Sequence, residues 1–187
     1  VQEEFAPVPL LELLKHPLSA AGLSPETFRV LTRLLEKEIL RGARPGPGLD
    51  GLQTALDSWC EDTVARLAAS GSDSVVGRIE RIRDDHARLS DLLARIKACL
   101  EPIDDLAAGK THAPVHLLRS HITAAEALAA SDTQTGADRL WRGEAGEALA
   151  DFVHELLNAL SDFAPMPGNR YSAFLDALMA DRAVRPR

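Results

Sequence analysis

Apolar positions along this chain fall three and four residues apart almost throughout, the period of a helix face rather than the two-residue alternation of a strand. Leu10, Leu11, Leu13 and Leu14 predict one short helix over residues 8–15, closed by Pro17 because the residue before a proline avoids the helical region. Ser24-Pro25-Glu26 reads as a strong helix start: a serine N-cap, a proline at the first helical position and an acid in the first turn. Phe28, Leu31, Leu34, Leu35 and Ile39 form the buried stripe of that helix, with Gly42 as its stop. Residues 41–51, with four glycines and two prolines, are the clearest linker and cannot be a helix interior. Leu49, Leu52, Leu56, Trp59, Cys60 and Leu67 then recur at helical spacing up to Ser70.

The cleanest periodicity follows. Ile79, Ile82, His86, Leu89, Leu93, Ile96 and Leu100 are spaced alternately three and four apart, filling the a and d positions of three heptads. Asp73 or Ser74 can cap this helix and Pro102 closes it, so a spine of ~27 residues and about 40 Å is expected. Pro114 opens another helix with Val115, Leu117, Leu118, Ile122, Ala125 and Leu128 facing inwards, and residues 131–136 are polar loop. Leu140 and Trp141 cover a core edge. Leu149, Phe152, Val153, Leu156, Leu157, Leu160 and Phe163 form a second long amphipathic helix, broken by Pro165 and Pro167. Asn169 is placed to cap a last helix carrying Phe174, Leu175, Leu178 and Met179. No convincing strand pattern and no internal repeat is visible. The expected fold is all-α: an irregular bundle of about six to eight helices with one long central helix, read as a single domain over residues 1–187 with a soft division at 42–51.

Composition sharpens this picture. The chain is 45% hydrophobic but only 4% aromatic, so its core is built from leucine, alanine, isoleucine and valine. A net charge of -7 makes it a poor stand-alone DNA binder, since non-specific affinity for DNA comes from Lys and Arg neutralising phosphates. Cys60 and Cys99 read as reduced core residues. No apolar run approaches the roughly 18 residues of a membrane span. Val1-Gln2-Glu3-Glu4 is acidic where a signal peptide would be basic, so a cytoplasmic setting is expected. Both ends read as cuts within a longer protein.

Candidate chemistry is thin. His112, His116 and His121 lack the further ligands and the His-Glu-x-x-His pattern of a zinc site, and read as surface or helix-end residues. His86 reads as a hydrogen-bonded seam residue. Glu144 with Glu147, and Asp84 with Asp85, read as surface acids rather than a catalytic pair, which needs a cleft and separated pKa values. Gly46, Gly48 and Gly51 are followed by Leu52 and Gln53 rather than Lys-Ser/Thr, so no phosphate loop is formed, and no Gly-x-Ser-x-Gly is present. No catalytic residue, metal or cofactor is expected. Arg29, Arg33, Arg41 and Arg44 make a modest basic track that could touch a DNA backbone or pair with Glu26, Glu36, Glu38 and Asp50.

Four segments carry a resemblance. They are Leu13-Leu14-Lys15-His16-Pro17-Leu18 with Gly22-Leu23-Ser24; Leu40-Arg41-Gly42-Ala43-Arg44-Pro45 with Pro47-Gly48-Leu49; Leu140-Trp141-Arg142-Gly143-Glu144-Ala145-Gly146-Glu147-Ala148; and Arg182-Ala183-Val184-Arg185-Pro186-Arg187. Together, in this order, they resemble the AddB subunit of the bacterial AddAB helicase–exonuclease in its alphaproteobacterial form, while residues from about 60 to 115 share only a general helical pattern. The resemblance implies a helical insertion of the 2B type, lying before a strand of the second motor-like core domain. Its parent would process double-strand DNA ends for recombinational repair beside an AddA-type helicase–nuclease subunit. AddB looks like a helicase that has lost its ATP motifs, joined to a nuclease domain with an iron–sulfur cluster, and none of those functional residues falls in this stretch. The rival from another class is a helical ligand-binding or dimerisation domain of a transcriptional regulator, which needs an apolar pocket between helices and a symmetric interface. A free-standing helical enzyme stands third, for want of a site motif.

Overall fold

The computed structural model describes residues 7–70, 75–107 and 110–180; for Pro7 and residues 104–107 it describes the backbone alone. The described residues are all-α, with eight α-helices and one two-residue β-ladder. No described helix is long and apolar enough to cross a membrane. The chain divides into two compact units: residues 3–19 with 24–98, and residues 20–23 with 99–187.

In the first unit, α1 (Pro7–Lys15) ends before Pro17, and the buried Ser19 hydroxyl donates to the Leu13 carbonyl at 2.7 Å. Helix α2 (Pro25–Leu35) starts as its sequence dictates: the Thr27 amide donates to the Ser24 hydroxyl at 3.1 Å. It continues into a π-helical turn, Glu36–Leu40, closed by the Arg41 amide donating to the Glu36 carbonyl at 3.1 Å. Helix α3 (Gly48–Ala69) begins inside the segment expected to be all linker. Two glycines account for the difference. Gly48 starts the helix at φ +75, a backbone only glycine adopts freely, and a Cβ on Gly51 would run into the Gly46 backbone. These glycines close a tight corner onto a helix.

The longest element, α4 (Val76–Ala107), has 32 residues, and its first 23, through Ala98, belong to this unit. It does not stop at Pro102. The proline removes the bond its N–H would make to the Ala98 carbonyl, and Ala98 is exposed, so water can donate to that carbonyl instead. Leu89, Leu93 and Ile96 are buried as the heptad predicts, but so is Leu92, while Ile79, Ile82 and His86 are only half-buried. The buried surface is therefore a broad stripe rather than a narrow seam. It joins Leu10, Leu14, Phe28, Leu31, Leu35, Leu52 and Leu56 among this unit's buried residues. The expected caps Asp73 and Ser74 lie outside the described residues.

In the second unit, the amides of Ala20 and Ala21 both donate to the Leu128 carbonyl at 2.9 Å, and that of Gly22 to the Ala130 carbonyl at 2.7 Å. Helix α5 (Pro114–Ala129) starts at the expected proline. Residues 136–140 form a one-turn helix, α6 (Gly136–Leu140), capped by the Thr135 hydroxyl, which the polar loop signal concealed. Helix α7 (Gly143–Ala159) begins before its apolar stripe does, because Gly143 at φ +74 turns the chain immediately after Trp141-Arg142. Contrary to the strand-free expectation, β1 (Thr111–His112) and β2 (Met166–Pro167) pair antiparallel, Thr111 opposite Pro167. Two residues are too few to show alternation. Asn169 does not cap the last helix: it lies in a 3₁₀ turn, Gly168–Arg170, and Arg170 occupies the cap position of α8 (Tyr171–Met179). Leu118, Phe152, Leu156 and Leu160 form the core, with Val115, Ile122, Leu157, Phe174, Leu175 and Leu178 packed against it.

Candidate functional site

The four arginines singled out by sequence all lie in the first unit and are exposed. Arg29 and Arg33 are one helical step apart on α2, about 6 Å along its axis. Arg29 folds back along the helix, its Nε donating to the Pro25 carbonyl at 2.9 Å. The π turn brings Arg41 to Glu36, Nη2 to Oε1 at 3.3 Å, and the other oxygen of Glu36 takes Lys15 at 2.7 Å. Lys15 first, and then Arg41, hold the Glu36 carboxyl below its ordinary value. Glu38 takes Lys37 and Asp50 takes Lys97. Among the described residues no carboxylate pairs with Arg29, Arg33 or Arg44.

Arg44 borders an open cleft of about 560 Å³. One wall is the face of α3 from Gly51 to Asp62, and the other is the π turn with the chain from Gly42 to Gly46. Small residues line much of it, and the half-buried Trp59 is its one aromatic. Position 59 reads simply as core on helical spacing, so the pattern gave no sign of the cleft; the density of glycine around it was the available signal.

The histidines do not converge. His112 is half-buried in β1, its Nε2 without a hydrogen-bond partner; His116 is exposed on α5. His121 Nδ1 meets the Tyr171 hydroxyl at 3.2 Å with the rings edge to face, and burial lowers the imidazole's pKa and raises the phenol's. Among the described residues no group of three or more His, Cys, Asp or Glu could hold a metal ion. Glu144 and Glu147 are exposed on α7, and Asp85 pairs with Arg88. Neither Cys60 nor Cys99 is in a disulfide, and burial pushes the Cys60 thiol up.

His86 is the polar residue whose partners sequence could not supply. Its Nε2 lies 2.7 Å from Asp57 Oδ1, and the Gln53 amide nitrogen donates both to that oxygen at 2.9 Å and to the Ser90 hydroxyl at 3.0 Å. This network, four residues from two helices, ties α3 to α4. His86 lowers the Asp57 carboxyl most, followed by Gln53.

No family model, no curated protein and no solved structure matches this chain.

Proposed function

We propose that this chain is a non-catalytic helical accessory segment of an AddB-type subunit in a double-strand-break repair helicase–exonuclease, scaffolding an AddA-type partner and shaping the DNA path. The observation that carries the reading is the ordered set of resembling segments and where three of them fall. One holds Lys15, which anchors Glu36 of the π turn; one supplies Gly48 at the start of α3; one supplies Trp141 and Gly143 at the corner leading into α7. Those positions fix corners, where residue identity matters more than on a leucine stripe. Exposed apolar side chains are available for a packing partner, among them Val8, Val30 and Val76 in the first unit and Phe163 and Met179 in the second. In this reading Arg29, Arg33, Arg41 and Arg44 touch the DNA backbone, the segment needs no cofactor, and the work is cytoplasmic.

Co-expression with the AddA-type subunit encoded in the same genome tests it: the two chains co-elute if the reading holds, and separate elution overturns it. The coding frame beyond Arg187 is a second check. Continuation into a motor-like and nuclease-bearing chain supports the parentage, and a stop codon contradicts it. The chain alone is expected to bind duplex DNA with a Kd of order 10⁻⁴ M or weaker at physiological salt. The rival, a ligand-binding domain of a transcriptional regulator, would show itself as a symmetric dimer in light scattering.

A further inference from the structure

We infer that the cleft beside Trp59 receives an arginine side chain carried by a peptide segment of a protein partner. The inference stands on the chemistry of the cleft and is independent of the AddAB reading. Thr54, Ser58 and Asp62 are four residues apart and form one column on the cleft-facing side of α3. The Thr54 hydroxyl donates to the Asp50 carbonyl and the Ser58 hydroxyl to the Thr54 carbonyl, each at 3.0 Å. Each has thereby committed its single proton, so both offer a visitor only lone pairs. Asp62 extends the column with a carboxylate. Glu38 faces it from the π turn; one of its oxygens accepts from Lys37 at 2.7 Å and the other has no partner among the described residues. Trp59 adds an electron-rich ring.

A lining of acceptors beside an indole calls for a flat, donor-rich cation. Guanidinium fits: five N–H donors in one plane, a shape that forks onto carboxylates, and a face that stacks on tryptophan. Two carboxylates, Glu38 and Asp62, line the cleft beside the guanidinium of Arg44, and Lys37 engages only one oxygen of Glu38. Size leaves room for a peptide. The cleft's 560 Å³ lies within the roughly 300–1,000 Å³ of ordinary ligand sites and exceeds what one side chain fills.

The experiment uses the full chain labelled with nitrogen-15. The indole N–H resonances of Trp59 and Trp141 are told apart with Trp59→Phe, and Trp141, in the other unit, monitors folding. The probes are acetyl-Gly-Arg-Gly-amide, the same peptide with citrulline in place of arginine, and a short oligothymidylate. The arginine peptide should shift the Trp59 resonance saturably and leave Trp141 in place, and the uncharged citrulline peptide should do markedly less. Glu38→Gln and Asp62→Asn should each weaken binding about two- to fivefold, the range of an exposed ion pair. Arg44→Gln should tighten it, because a like charge is removed. Four results would overturn the inference: no saturable shift with the arginine peptide, equal movement of both indoles, an equal response to citrulline, or a Trp59 shift with oligothymidylate as large as that with the arginine peptide.

Discussion

Replacing Gly136 by alanine is the sharpest test of how the second unit is built. Gly136 opens α6 and is buried against α5. A Cβ placed there would land on the Glu126 carbonyl group and lie 2.8 Å from Glu126 Cα. Ordinary carbon–carbon contact needs about 3.5–4.0 Å, so α6 would have to retreat by about 1 Å against Cα alone, and further against the carbonyl. The obstacle is backbone, which has no rotamer to escape into. Two contacts at the same corner oppose the retreat: the Trp141 indole N–H on the Glu126 carboxylate at 2.6 Å and the Arg139 guanidinium on the Ala129 carbonyl. Overpacking costs typically about 1–3 kcal/mol, and a rigid obstacle puts this case at about 3. A chain of this length loses about 2–4 °C per kcal/mol, so the expected fall in Tm is about 6–12 °C, read by circular dichroism at 222 nm. Gly77→Ala is the control, because nothing lies within 4 Å of its Cβ and the residue is helical; it should gain up to about 1 kcal/mol. A Gly136→Ala protein melting within about 1 °C of the parent would refute the packing argument.

Three further outcomes are expected. Leu56→Ala, at a side chain with no exposure, should cost about 2–5 kcal/mol in urea denaturation, whereas Thr54→Ala two residues away should stay within about 0.5. Pro102→Ala should restore the bond to the Ala98 carbonyl and raise stability by about 1–3 kcal/mol with a gain in helical ellipticity; a loss of stability would refute the cost assigned to the missing bond. Asp57 has its carboxyl held below its ordinary value of 3.8, so its contribution to stability is complete above that value and disappears as pH falls through the lower folded value. Asp57→Asn should therefore flatten the acid limb of a urea-midpoint profile below about pH 4, and an unchanged limb would remove the α3–α4 network from the account.

Where signals were local, the sequence was easily read. Ser24-Pro25 and Pro114 start helices because cap and proline act within one turn, and the Leu89-to-Leu100 stripe is buried where its period predicts. Signals that depend on distant partners stayed hidden. Glu36 of the π turn pairs with Lys15, which is 21 residues earlier, and the His86 network spans 29 residues to Asp57 and 37 between Gln53 and Ser90. Gly51 looked like linker because its role, giving way to the Gly46 backbone, exists only after the corner has closed. The candidate arginines were legible as charges but not as free or engaged ones. Arg41 is engaged because α1 and the π turn hold Glu36 between two cations.

The segment 20–23 belongs with residues 99–187 although its neighbours on both sides belong to the other unit. As the chain emerges from a ribosome, Ala20, Ala21 and Gly22 must wait for more than a hundred further residues before the Leu128 and Ala130 carbonyls exist to receive their amides. A cut after Ala98 would therefore not yield two self-sufficient halves. The downstream piece would lack its earliest hydrogen-bond donors, and the upstream piece would carry them with nothing to bind. These bonds close only once the chain reaches Ala130, so any dissection into domains must take residues 20–23 along with the C-terminal half.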